Sequence, residues 1–294
     1  MILVVGATGL VGSLICYQLA TDGQPVRGFV RPSSNPDKVK HLQEIGVPVV
    51  RGDLKDPQTI PPALHEVTAV ISTVSSMPFS YVPGENDIDA VDLQGMKNLI
   101  NAAKEARVLH VVYTSFSGNI DIEFPLRNAK RAVETHLKNS GLMYTILRPS
   151  YFMEAWLTAV VGFDVQKGKV TIYGDGNEPI SYISVRDVAA FAVKSLSTPF
   201  AHNNTLELGG PEALSQLQVV KIFKEVMETS FEISHVPLEA IRQQKEGTDD
   251  PMQTSFSALM ECLAKGDAIP MDEVLKEMPI RQMTAKQYAR SVAL

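Results

Sequence analysis

The chain opens on four consecutive apolar residues, Ile2 to Val5, then shifts to helical spacing at Leu10, Leu14, Ile15 and Leu19 before Gly23. A short apolar run with β-branched residues fits a strand buried on both faces. The spacing that follows fits a helix, ended by a glycine. The alternation then repeats. Apolar runs predict strands over 25–30, 47–51, 69–74, 108–114 and 144–148, and periodic segments predict helices over 36–45, 57–64, 89–107 and 126–140. Asp56 caps the 57–64 helix with Pro57 at its first position, and the 89–107 helix turns Val91, Leu99, Ile100 and Ala103 inward. Strands alternating with helices predict an α/β fold whose parallel sheet is covered on both faces, and right-handed crossovers make it doubly wound.

After Pro149 the rhythm changes. The pattern predicts a helix over 152–165, short strands over 170–173 and 180–183 around a turn, and a helix over 185–196. A strand over 205–208, a helix over 217–229, a strand over 232–236 and three helices within 238–293 complete the chain. The expected division is a nucleotide-binding domain over 1–155 and a smaller, partly interleaved α/β lobe over 156–294.

The sharpest local signal is Gly6-Ala7-Thr8-Gly9-Leu10-Val11-Gly12, between the first strand and the first helix. Gly6 permits the tight turn, Gly9 lets the backbone approach a pyrophosphate, and Gly12 lets the helix pack on the sheet. The helix N-terminus offers unpaired amides and partial positive charge to the anion. No Lys-Ser/Thr follows the last glycine, so a P-loop is excluded. This is the phosphate loop of a Rossmann-type unit. A site for NAD wants a carboxylate at the end of the second strand, but that strand ends Gly28-Phe29-Val30-Arg31. A guanidinium there suits a 2′-phosphate, with Ser33 or Ser34 as a hydroxyl donor and Lys38 and Lys40 further off. The expected cofactor is therefore NADP(H). Asp53 and Leu54 follow the third strand, where they can touch an adenine edge; Asp53 serves equally as a turn former.

Composition narrows the class. Of 294 residues, 45% are hydrophobic and 20% charged, enough for a sizeable core. A net charge of -6 with no basic face argues against nucleic acid. Cys16 and Cys262 have no metal-like spacing and the histidines are scattered singly, so no metal is expected. No leader pattern or membrane-length apolar run is present, which points to a cytoplasmic protein with no membrane role.

Together with that loop, Arg31, Gly52-Asp53-Leu54, Tyr113-Thr114-Ser115, Lys130 and Leu147-Arg148-Pro149-Ser150-Tyr151-Phe152-Met153-Glu154 resemble the NmrA-like group of atypical short-chain dehydrogenases/reductases. The resemblance runs over essentially the whole chain. Within the group it is nearest in feel to the quinone oxidoreductase and triphenylmethane reductase types. It implies pyrophosphate contacts from Gly6, Thr8, Gly9, Leu10 and Val11, and a 2′-phosphate on Arg31. It puts Asp53 and Leu54 at the adenine, Ser72 and Thr73 under the ribose and nicotinamide, Lys130 at the nicotinamide ribose, and Tyr151 and Phe152 beside nicotinamide and substrate.

One departure matters. The Tyr-x-x-x-Lys pair of the wider superfamily is broken, because Leu126 stands four residues before Lys130. A quinone or extended dye gives a conjugated product after hydride transfer and needs little help from an acid, so such acceptors fit a tyrosine-free site. Candidate catalytic groups are Lys130, Ser115 and Tyr151. Each has a plain alternative: a Glu134 partner for Lys130, a turn for Ser115, a satisfied core hydroxyl for Tyr151. Phe79, Tyr81, Phe116 and Trp156, with Tyr151 and Phe152, are the expected apolar substrate pocket, and 77–84 the loop that gates it. Asp187 reads as a helix N-terminal charge. The competing function is a cofactor-binding redox sensor acting through a protein partner; a homodimer stays open under either.

Overall fold

Four apolar side chains in a row leave the first strand without a polar face, and all four are buried. A computed structural model describes residues 1–293. Its strands are β1 (Ile2–Val5), β2 (Val26–Val30), β3 (Val49–Arg51), β4 (Ala69–Ser72), β5 (His110–Thr114), β6 (Met143–Pro149), β7 (Phe163–Asp164), β8 (Lys169–Tyr173), β9 (Asn204–Leu208) and β10 (Glu232–Val236). The main sheet has seven strands in the order β3-β2-β1-β4-β5-β6-β9. The pairs from β3 through β6 are parallel. From β1 the chain steps outward to β2 and β3, then crosses to β4 on the other side. That reversal opens a crevice beyond the C-terminal ends of β1 and β4, the usual ligand position in such sheets.

The helices are α1 (Leu10–Thr21), α2 (Pro36–Glu44), α3 (Met96–Glu105), α4 (Pro125–Lys138), α5 (Met153–Trp156), α6 (Val185–Ser195), α7 (Gln216–Met227), α8 (Leu238–Glu246), α9 (Pro251–Lys265), α10 (Asp272–Glu277) and α11 (Ala285–Val292). No helix among the described residues is long and apolar enough to cross a membrane.

The chain forms two compact units. The first comprises Met1–Ser115, Asn128–Leu147 and Ala189–Leu206; the second comprises Phe116–Arg127, Arg148–Val188 and the residues from Glu207 onward. The core of the first sets Leu3, Val5, Val70, Val111 and Ile146 of the sheet against Met96, Leu99 and Ile100 of α3 and Val133 and Leu137 of α4. In the second, β10-β8-β7 form a small sheet, parallel between β10 and β8 and antiparallel between β8 and β7. There α7 starts from a capping box made by Ser215 and Gln218, and its Phe223 meets Phe163 edge to face at 4.8 Å.

Several expected elements differ. Residues 57–64 form two 3-10 turns, Pro57–Thr59 and Pro61–Leu64, because Pro61 and Pro62 lack the amides a continuous α-helix needs. Residues 89–107 are not one α-helix: Ile88–Gly95 winds as a π-helix before α3 begins. Its wider turn leaves Ile88, Val91, Asp92 and Gly95 all buried. The 152–165 helix is only α5, a 3-10 turn at Ala159–Val161 and then β7, with Gly162 at φ +83 ending the turn. Residues 180–183 make isolated bridges to Leu214, Asp267 and Phe152 in place of a strand. The last stretch holds four helices, not three.

Candidate functional site

The loop after β1 has no space for side chains at its glycines. Gly6 turns at φ +85, and a Cβ there would meet Thr73 Oγ1 at 2.9 Å. A Cβ on Gly12 would lie 2.1 Å from Gly6 O, so bare backbone is what lets α1 seat against the turn. Gly9 N donates to Gly6 O at 2.9 Å and closes the loop. Gly9 is also the N-cap of α1, which has no side-chain cap and no acidic residue in its first turn. That leaves the first-turn amides and their partial positive charge for an external anion. Thr8 is half-buried and Gly9 and Leu10 are exposed, so they form the rim; the Val11 side chain packs inward. The cradle therefore fits a pyrophosphate on backbone alone.

Thr73, one residue past β4, braces this loop and donates from its hydroxyl to Val5 O at 3.4 Å. Ser72 is different. It is fully buried and its hydroxyl is turned to Met96 Sδ at 3.1 Å.

At the other end Arg31 follows β2 half-buried, with Nη1 donating to Asn86 Oδ1 at 2.7 Å. Asn86 also donates to Ser80 O at 2.6 Å, and Lys55 Nζ to Glu85 O at 3.0 Å, so two cations tie the 80–86 strap to this edge. Ser33 is exposed, while Asn35 is the residue that caps α2. Lys38 is exposed, and Lys40 is engaged with Glu44 at 3.6 Å. Asp53 holds a turn through Lys55 N and pairs with Lys55 Nζ at 3.5 Å. Leu54 is a core residue, and only its carbonyl reaches Asn98 Nδ2, at 2.9 Å. Nothing local in the sequence marks Asn86 as a partner of Arg31.

Further along the same strand ends stands Lys130 on α4. It is buried, its Nζ 3.4 Å from Val74 O and 5.4 Å from the Tyr113 ring centroid. Its nearest carboxylate is Asp92 Oδ1 at 3.7 Å, not Glu134, which pairs with Arg131 at 2.6 Å. Burial lowers the Lys130 ammonium below its ordinary value, while Asp92 and Glu134 pull it back up. Asp92 Oδ1 and the Tyr113 hydroxyl are buried without a hydrogen-bond partner among the described residues. Buried polar atoms left over in this way suit a hydroxyl-bearing ligand. Ser115 Oγ accepts from Arg131 Nη1 at 3.3 Å.

The aromatic candidates are divided between the two compact units. Within the second unit, Tyr151 meets Trp156 edge to face at 4.8 Å and Trp156 stacks on Phe256 at 6.0 Å. Phe116 stacks instead on Phe124 at 6.0 Å. Phe79, in the strap of the first unit, is 70% exposed, and Tyr81 beside it is half-buried. The Tyr151 hydroxyl donates to Leu259 O at 2.9 Å, and burial first, then Cys262 and Asp267, push its ionisation far up. That bond commits the Tyr151 hydroxyl within the second unit. Phe152 is half-buried and starts α5. Other residues of the 147–154 motif are scaffold: Arg148 pairs with Glu207 at 3.1 Å, and Glu154 accepts from Ser184 Oγ at 2.6 Å and Val185 N at 3.0 Å. Asp187 accepts from Met283 N at 2.9 Å and is pushed up to about 6, chiefly by burial. A small cavity of this unit is lined by Trp156, Leu157, Phe163, Tyr173, Tyr182 and Gln216.

A parallel sheet reversing at β1, with a glycine cradle and a helix N-terminus at the reversal, defines a dinucleotide-binding α/β protein. More narrowly, the chain belongs to the NmrA-like family, whose model matches residues 1–286. It is 33% identical to the photosystem II assembly factor Ycf39 of Trieres chinensis over 81% of this chain and 72% of that one. It is 30% identical to the NAD(P)H azoreductase of Xenophilus azovorans over 95% and 92%. Its fold is that of the Citrobacter sp. triphenylmethane reductase complexed with NADP(H), with TM-score 0.80 and 21% identity over 100% of each chain.

Proposed function

We propose that this chain binds NADP(H) and reduces a quinone-like or other conjugated aromatic acceptor. The α1 amides and the bare backbone of Gly6, Thr8, Gly9 and Leu10 would hold the pyrophosphate. Arg31, pre-oriented by Asn86, would take the 2′-phosphate. When bound, the nicotinamide supplies the hydride. Lys130 would present a fixed positive charge to the nucleotide. The observation that carries turnover over binding alone is this buried ammonium facing an unsatisfied carboxylate oxygen at the strand ends. Leu126 stands in place of a tyrosine and the Tyr151 hydroxyl is committed to Leu259; the unpartnered Tyr113 hydroxyl beside Lys130 has its ionisation pushed well up by burial, so it is only a weak acid. That favours acceptors whose reduced form is stabilised by conjugation. The azoreductase relative supports the same class.

A second reading is a cofactor-binding regulator of a protein partner, favoured by the same lack of a strong acid and by the relatives named as assembly factors. NADPH oxidation against a panel of quinones, azo dyes and triphenylmethane dyes separates the two. The expected outcome is turnover of at least one of them. Tight NADPH binding with no oxidation across the panel would turn the assignment to the regulator.

A further inference from the structure

Lys130 and Asp92 meet from different elements. The Lys130 side chain is 6% exposed and that of Asp92 not at all, with 3.7 Å between nitrogen and Oδ1. That distance is too long for a hydrogen bond, so the interaction is one of charge. Asp92 is gripped from its other side: Oδ2 accepts from Ser76 N at 2.9 Å and from Ser76 Oγ at 2.6 Å. A carboxylate clamped through one oxygen has its second oxygen aimed, here toward the ammonium. Its place on the π-helical turn keeps it inward. Removing charge from either partner would leave the other buried and uncompensated.

We propose that Asp92 is a positioning residue: oriented by Ser76, it holds the Lys130 ammonium protonated at the end of β4, so that Lys130 serves as a charged hydrogen-bond donor rather than a general base. The other groups around Lys130 do not replace it. Glu134, on α4 itself, also favours the charged Lys130 but less than Asp92 does, its carboxylate being paired to Arg131 at 2.6 Å, and Arg131 opposes protonation of Lys130. Tyr113 of β5 offers a ring face at 5.4 Å, and Val74 a carbonyl at 3.4 Å. Desolvation is the largest influence on Lys130 and drives it toward neutrality; Asp92 is the next and resists it. The inference rests on the proposed function only for what Lys130 acts upon; the charge pairing belongs to the protein without nucleotide.

The test is an NMR pH titration of the full chain labelled at lysine Cε and free of nucleotide, with Lys130 assigned through Lys130→Arg. Asp92→Asn is expected to lower the Lys130 midpoint by at least about one pH unit, the effect of losing an opposite charge at this range. An unchanged midpoint overturns the proposal. Should Asp92→Asn fold too poorly to titrate, its melting temperature is compared with that of Asp92→Asn/Lys130→Met. A double variant that melts higher than the single one supports the charge pairing; one that melts no higher means Asp92 acts through Ser76 alone and refutes it. NADPH titration of the same samples keeps the two ideas apart. Protein that ignores NADPH yet shows the Lys130 shift would sink the functional reading and leave the pair intact.

Discussion

A Gly12 side chain would collide with Gly6 O, 2.1 Å from its Cβ, and that carbonyl is itself fixed by the Gly9 amide. Neither is the end of a flexible side chain, so α1 must shift. Gly12→Ala should cost about 1–3 kcal/mol in urea unfolding, the range for overpacking, and weaken NADPH binding with it. A variant as stable as the parent, binding equally well, would mean the loop has slack. At this scale the tight glycine turn was legible because its spacing is local. Asn86 and Asp92 were not. Asn86 lies 55 positions from Arg31, and Asp92 meets Lys130 only because the sheet brings β4 and β5 together. Tyr151 was legible as a motif residue, but its bond to Leu259 O depends on α9, far along the chain.

At the level of elements, β5 begins with a buried titratable side chain. His110 Nε2 contacts Thr145 Oγ1 at 2.9 Å, and the ring meets His202 edge to face at 5.1 Å. Burial first, and His202 second, hold His110 down at about 4 from its ordinary 6.5. Between those values the unfolded chain takes up a proton that the folded chain refuses, so stability falls as pH drops through that window. The contribution is about 2–3 kcal/mol once pH is near 4, and vanishes above the unfolded value. His110→Gln should flatten the acid limb of unfolding free energy measured from pH 7 to 4.5. An unchanged acid limb would place the proton uptake elsewhere. Strand and helix existence was readable from periodicity through the first unit, where buried parallel strands read as plain apolar runs. Local winding was not: the π-helix of Ile88–Gly95 has an ordinary helical pattern, and 180–183 has a strand's composition but makes only isolated bridges.

For the molecule as a whole, the sheet order and the family carry the account together. The glycine cradle lies at the reversal of the sheet, Thr73 locks it to β4, and Lys130 donates to Val74 one residue further on. Glycine loop and buried ammonium therefore lie along one edge of the first unit. The alternation of elements announced that sheet from the sequence. The aromatic residues past the strand ends are less telling, since apolar residues there serve a core as readily as a ligand. The proposed function depends first on recognition of a dinucleotide carrying a 2′-phosphate. Calorimetric titration of the parent and Arg31→Ala with NADPH and with NADH tests it directly. The parent is expected to prefer NADPH, and Arg31→Ala to lose about 1–3 kcal/mol of NADPH affinity while NADH binding is unchanged. No heat from either nucleotide at millimolar concentration, or equal losses for both in Arg31→Ala, would contradict it.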